Sequence, residues 1–355
     1  MLQTNRMNSQ RRLLVQQCYV GLYEVLAAHF QGAGRSFIIT GTQENADGDE
    51  SVYALIVITG TQGIGKSLLL YYVMWHLARA GATVVYDQRD TATVMYGPQG
   101  VYTGALEEFG QALDDAATWY LVDGKPPRPV AAKTVLVTSL DWDDWKEAQK
   151  WPGSLIRHMP VWEQDEILAA RELIFSKRPE EEVLERYRVW GGTPRYVLQL
   201  TDIEHQRLIK HALNACSIDE LQSCMLNISK AAQTTEWLLH LLVESDFTKG
   251  PVVFASDWVR DELLQQYVQS QHHQVREFAA AAGGPPIVAD FRAKVQEGLA
   301  QSRHFKVGVT SGAETQVGAQ RNPFTFPPFA PSVPAGPWGQ HGSAHKNGQF
   351  QSGWW

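Results

Sequence analysis

The first half of the chain alternates short apolar runs with helical periods. Val52–Ile58 (VYALIVI), Ala82–Tyr86 (ATVVY), Trp119–Gly124 (WYLVDG), Thr134–Ser139 (TVLVTS) and Ile156–Trp162 (IRHMPVW) have strand length and are mostly rich in β-branched and aromatic residues. Behind the first run, Ser67–Ala80 (SLLLYYVMWHLARA) lacks Gly and Pro and stops at Gly81, which predicts a buried helix. Helical spacing recurs around Leu106–Leu113. Strands alternating with helices predict an α/β fold: a parallel sheet covered on both faces, with ligand at the carboxyl ends of its strands.

Outside this block the period is helical. Leu13, Leu14, Tyr19, Leu22, Tyr23, Val25 and Leu26 predict a lead-in helix within residues 1–36. From Glu163, Ile167, Leu168, Leu173, Ile174, Val183, Leu184, Tyr187 and Val189 keep helical spacing until Gly191-Gly192-Thr193-Pro194-Arg195-Tyr196 interrupts it. Residues 201–282 read as mostly helical, with an aromatic-rich break near Phe247–Phe254, and a small α+β remnant runs to about Val309. From Gly312 the chain is Pro, Gly, Phe and Gln without period, the composition of a disordered tail. The plan is therefore a lead-in at 1–36, a core at 37–162, a helical lid at 163–240, a truncated remnant at 241–311 and a tail at 312–355. One irregularity precedes the core: Phe37–Gln43 (FIITGTQ) nearly duplicates Ile56–Gln62 (IVITGTQ) but does not continue into a lysine. An added strand and a misjoined segment both fit it.

The second copy does continue. Gly60-Thr61-Gln62-Gly63-Ile64-Gly65-Lys66-Ser67 fits G-x-x-x-x-G-K-[ST], the phosphate-binding loop, between a strand and a helix as that motif requires. Such a loop turns successive N–H groups toward a phosphate chain, and the helix N-terminus adds partial positive charge. Gly60, Gly63, Ile64, Gly65, Lys66 and Ser67 form the expected nucleotide-binding set, with Lys66 on the β- and γ-phosphates and the Ser67 hydroxyl on Mg²⁺. The run ending in Asp123 has the Walker B form, which makes Asp123 the second metal-site residue. Ser139 ends the next strand, where a hydroxyl either orients water or merely closes the strand. Arg195, at a helix start after the Gly-Gly-Thr-Pro turn, either reaches a phosphate or is a solvated arginine. Gly124 and Lys125 follow Asp123, so no second acid stands there; Asp87, Asp90 and Asp141 are the carboxylates considered for positioning water.

Composition narrows the partners. The 355 residues carry a formal charge of −7, which gives no electrostatic support for a nucleic-acid or membrane partner. No apolar window of about 18 residues is present, and the N-terminal arginines precede no secretory-type apolar core, so an intracellular protein is expected. Cys18, Cys216 and Cys224 cannot all pair and read as reduced, buried thiols. His240, His272 and His273 show no ligand grouping.

The stretches ITGTQGIGKSLLLYYVMWHLARAGATVVYDQRD, TWYLVDGKPP, KTVLVTS, RHMPVW and RYRVWGGTPRYVLQL resemble the Crinkler family of oomycetes and fungi and the related retrotransposon hot spot proteins of trypanosomes. The resemblance implies a P-loop ATPase of the STAND/AAA-like kind, followed by a region similar to restriction-endonuclease-fold nucleases, and often secretion toward a host nucleus. It implies Walker A roles for Lys66 and Ser67, Walker B for Asp123, a sensor position for Ser139 and a second sensor at Arg195. It also implies a host-protein partner. The family's LFLAK-type translocation motif is missing, and Arg292 and Gln296 stand where the nuclease-like region leads one to expect glutamate and histidine. The resulting expectation is ATP·Mg binding with slow hydrolysis as a conformational switch. A nucleotide-gated interaction module without hydrolysis is the alternative, and a Mg²⁺-dependent nuclease is disfavoured because its carboxylates cannot be assembled.

Overall fold

A computed structural model of the chain describes residues 4–7, 11–32, 54–140, 145–151, 153–228, 235–270 and 272–309. The Phe37–Gln43 near-duplication, Asp141 and the 312–355 tail lie outside these residues.

The lead-in differs from a purely helical one: β1 (Thr4–Met7) pairs antiparallel with β2 (Arg11–Leu14) before helix α1 (Gln17–Gly32). The sheet then starts with β3 (Leu55–Thr59), which is wholly buried and runs through the glycine loop into α2 (Lys66–Arg79). Next come β4 (Val84–Gln88), β5 (Thr93–Gly97), β6 (Gly100–Gly104), the short helix α3 (Gly110–Leu113), β7 (Trp119–Asp123), β8 (Lys133–Val137) and β9 (Leu155–His158). Their order in space is β6-β5-β4-β7-β8-β3-β9. The five strands from β4 to β9 are parallel, and β5 and β6 extend the edge antiparallel. The β5–β6 hairpin was not foreseen. Its Gly97-Pro98-Gln99-Gly100 turn sits within a stretch whose scattered glycines mask the strand alternation.

Because β8 lies between β7 and β3, the ends of the loop strand and the Asp123 strand are one strand apart. A ligand at the carboxyl edge can therefore touch both. Alternation along the strands divides the core. Ile56, Ile58, Tyr86, Leu121, Val135 and Val137 pack with α1, α2 and the later helices, while Leu55, Val57, Val85, Tyr120, Val122 and Leu136 face a smaller cluster with Leu106, Phe109 and Leu113.

The chain beyond β9 is helical as its periodicity predicts: α4 (Gln164–Leu173), α5 (Glu180–Trp190), a π-helical turn at Arg195–Gln199, α6 (Ile203–Ala215) and α7 (Ile218–Leu226). Asp202 and Ser217 cap α6 and α7 through their side chains. The π turn is held by Gln206, whose Nε2 donates to Tyr196 O and Leu200 O at 2.9 and 2.8 Å, while Trp190 stacks on Tyr196 at 4.1 Å. The aromatic-rich break is a hairpin, β10 (Leu239–Val243) with β11 (Lys249–Phe254), followed by α8 (Asp257–Ser270) and α9 (His273–Ala280). Residues 286–309 form one helix, α10 (Pro286–Val309), rather than an α+β piece. In it, buried Arg292 donates to Phe278 O at 3.0 Å and Gly283 O at 2.6 Å, and Gln296 donates to Ala279 O. Both side chains tie α10 to α9 and the turn before it. Among the described residues no helix is long and apolar enough to cross a membrane.

Candidate functional site

Strand β3 ends at buried Thr59, and the chain turns through residues 60–65 before α2 opens at Lys66. The first amides of a helix, here those of Lys66 and Ser67, have no intrahelical acceptor. Lys66 turns its ammonium back on the loop, donating to Gly60 O at 2.6 Å and Thr61 O at 2.8 Å. Burial pushes Lys66 down to about 8; the Arg195 charge works in the same direction, while Glu236 and Asp123 oppose it.

Asp123 sits at the carboxyl end of β7. Ser67 Oγ donates to its Oδ1 at 3.1 Å, and Tyr86 OH donates to its Oδ2 at 3.3 Å. Burial raises the Asp123 carboxyl above its ordinary range, while these two hydrogen bonds and the charges of Lys66 and Arg89 pull it back. Ser67 and Asp123, 56 residues apart, thus meet as an oxygen pair beside the loop.

Arg195, at the start of the Arg195–Gln199 turn, lies against the loop. Its backbone N–H donates to Gly63 O at 3.3 Å, and a Cβ built on Gly63 would come within 2.9 Å of Arg195 Cβ and 3.1 Å of Thr193 Cγ2. The turn at residues 193–195 therefore rests directly on the loop glycine. Ser139 lies just past the end of β8, half-buried, and its carbonyl accepts from Thr59 Oγ1 at 2.5 Å. That bond joins the end of β3 to the end of β8.

Of the carboxylates considered for water positioning, Asp87 and Asp90 are described, and Asp87 does not reach this site. Asp87 pairs in register with Val122 and so faces the opposite side of the sheet from Asp123. There it is fully buried and accepts from Thr93 Oγ1 at 2.8 Å, Tyr120 OH at 2.9 Å and Lys125 Nζ at 2.6 Å. It lines a cavity of about 380 Å³ with Lys125, Arg128 and Glu107, on the face away from α2. Asp90 is an exposed turn residue with φ of 61°. A carboxylate that sequence reasoning passed over, Glu236, is instead 3% exposed, and its charge acts on Lys66. It belongs to a short 3-10 turn, Thr235–Trp237, and nothing in its sequence surroundings marks it.

The residues present fit a nucleotide with Mg²⁺. Two loop carbonyls hold the lysine where phosphate oxygens would, and Thr61 Oγ1 is buried without a hydrogen-bond partner. Ser67 and Asp123 could supply the one or two protein oxygens that Mg²⁺ takes beside phosphate and water.

The chain is thus a mixed α/β fold around a mostly parallel seven-stranded sheet, with a G-x-x-x-x-G-K-S loop joining β3 to α2. The chain has homologues among the Crinkler effectors: effector proteins 15 and 16 of Phytophthora infestans are each 26% identical to it over 242 residues, 65% of this chain. The chain spans 39% of the length of these relatives. No protein-family profile matches it. Among solved structures, AMPPCP-bound DnaA from Aquifex aeolicus is 12% identical and covers 82% of this chain and 90% of its own, with a TM-score of 0.32, a similarity too low to carry an argument about function.

Proposed function

We propose that the chain binds ATP·Mg²⁺ through residues 60–67 and hydrolyses it slowly, as a conformational switch in an effector-like protein. The observation that carries this reading is the convergence of Lys66, Ser67, Asp123 and Arg195 on one loop from α2, β7 and the lid. Lys66 exchanges its two carbonyl acceptors for β- and γ-phosphate oxygens. Ser67 Oγ and Asp123 are the residues that would hold the metal. Mg²⁺, when bound, supplies charge neutralisation on those oxygens. Arg195 links the γ-phosphate position to the lid, because its backbone already rests on Gly63. Ser139 stands at the strand end between β3 and β7, where a hydroxyl orients water.

A second reading, nucleotide gating without hydrolysis, is favoured by two observations: Asp87 is held on the face away from Asp123, and Gly124 and Lys125 follow Asp123. A host protein as partner, and secretion, are proposed on the effector homology alone. A nuclease is disfavoured, since Arg292 and Gln296 serve to hold helices together.

The test is ATP turnover and nucleotide titration of the chain beside Lys66→Ala and Asp123→Ala. Lys66→Ala is expected to weaken binding by tenfold or more, and Asp123→Ala to abolish the Mg²⁺-dependent part of turnover. Tight binding without turnover above the variants would select the gating module. Absence of any nucleotide binding would sink both readings.

A further inference from the structure

Three consecutive carbonyls of the loop are each taken by a donor from outside it. Gly63 O accepts from Arg195 N at 3.3 Å, Ile64 O from Trp162 Nε1 at 2.7 Å, and Gly65 O from Tyr19 OH at 2.8 Å. The donors come from three places: the start of the Arg195–Gln199 turn, the segment after β9, and α1. Tyr19 is 0% exposed and Trp162 6%. Their polar atoms therefore bond away from water, where an unmade bond is costly. A Cβ on Gly65 would lie 2.7 Å from the Tyr19 oxygen, so the hydroxyl sits against the loop backbone itself. The carbonyl of Gly65 is also the first acceptor of α2, taking Leu68 N at 3.0 Å.

In a trans peptide the C=O of one residue and the N–H of the next point in opposite directions. Drawing the carbonyls of Gly63, Ile64 and Gly65 toward these donors turns the N–H groups of Ile64, Gly65 and Lys66 away from them. Those are the amides a phosphate chain needs. We propose that Tyr19 and Trp162 are positioning residues that hold the phosphate loop in its receptive conformation, fastening it to α1 and to the segment that leads into the lid. The proposal rests on the nucleotide-binding reading above for its purpose but not for its geometry. It also gives α1 a mechanical link to the loop, so that lead-in and lid both register a change there. Trp162 completes the link, since its backbone N–H donates to Gly192 O at 2.9 Å.

The experiment compares the full chain with Tyr19→Phe and Trp162→Phe. Tyr19→Phe removes a single oxygen and keeps the ring, so it stays informative if the tryptophan variant folds poorly. In nucleotide-free protein, hydrogen exchange of the peptide covering residues 60–67 is expected to accelerate at least tenfold, well beyond any change in β7, while the melting temperature falls only modestly for Tyr19→Phe. Affinity for ATP with Mg²⁺ is expected to fall at least tenfold in each variant. Unchanged loop exchange in both variants overturns the proposal, as does faster exchange with unaltered affinity. If the unmodified chain binds no nucleotide, the functional reading fails, while the exchange measurement still decides whether the two side chains hold the loop.

Discussion

Gly191 adopts φ 58° and ψ −147°, a region open in practice only to glycine. A Cβ there would stand 2.0 Å from Ala255 O and 2.8 Å from His240 Cε1, so β11's exit and the lid turn close on the same point. Gly191→Ala adds backbone strain to a clash with main chain that cannot move aside. It is expected to lower the unfolding free energy by about 3 kcal/mol or more, read as a shifted urea midpoint. That a turn falls here was legible in Gly-Gly-Thr-Pro, because Gly and Pro act on their own backbone. That the first glycine is compelled by the Ala255 carbonyl, 64 residues away, was not. Lys66, Ser67 and Asp123 were legible for the same local reason: a motif spacing and a strand end. Tyr19, Trp162 and Glu236 were not, because each reaches the loop from a distant segment and its neighbours in sequence read as ordinary core.

At the scale of the element, β4 and β7 show how register decides chemistry. Asp87 and Asp123 both end apolar runs, and sequence offers no reason to put them on different faces. In the sheet Asp87 lies opposite Val122 and Gln88 opposite Asp123, so one carboxylate joins the loop and the other is buried behind it. Lys125 then serves Asp87 across a 2.6 Å bond, with the lysine side chain 30% exposed and the carboxylate fully buried. Lys125→Met leaves a buried charge with only two neutral donors. After allowance for the solvent reaching Lys125, the expected loss is about 1–2 kcal/mol in urea unfolding. Nucleotide affinity should stay within about twofold, because the pair lies on the other face; a larger change would place Asp87 in the site after all.

For the whole molecule, a buried histidine of the β10–β11 hairpin contributes an acid limit. His240 is 3% exposed and its Nε2 lies 3.3 Å from Thr193 Oγ1 in the lid turn. Burial pushes it down to about 4. An unfolded histidine titrates near 6.5, so between about pH 4 and 6.5 the unfolded chain holds the extra proton. Stability is complete above that window and declines as pH falls through it, by roughly 3 kcal/mol for this one group. The melting temperature should therefore drop from pH 6.5 to 4.5, and His240→Gln should flatten that drop. An unchanged slope in the variant would remove His240 as its source.

The sequence by itself determined the parallel-strand segments, the glycine loop between β3 and α2, the helical run after Glu163 and the residues of the phosphate motif. These are local matters of side-chain period and backbone freedom, which a short stretch of chain settles alone. The tertiary structure decided that β8 separates β7 from β3, that residues 93–104 form a hairpin, and that Asp87 faces away from Asp123. It also decided that α1, the segment after β9 and the lid each hold one carbonyl of the loop. Those outcomes depend on register and on contacts between segments far apart in the chain, and they are fixed only when the apolar faces of the sheet and helices are buried together.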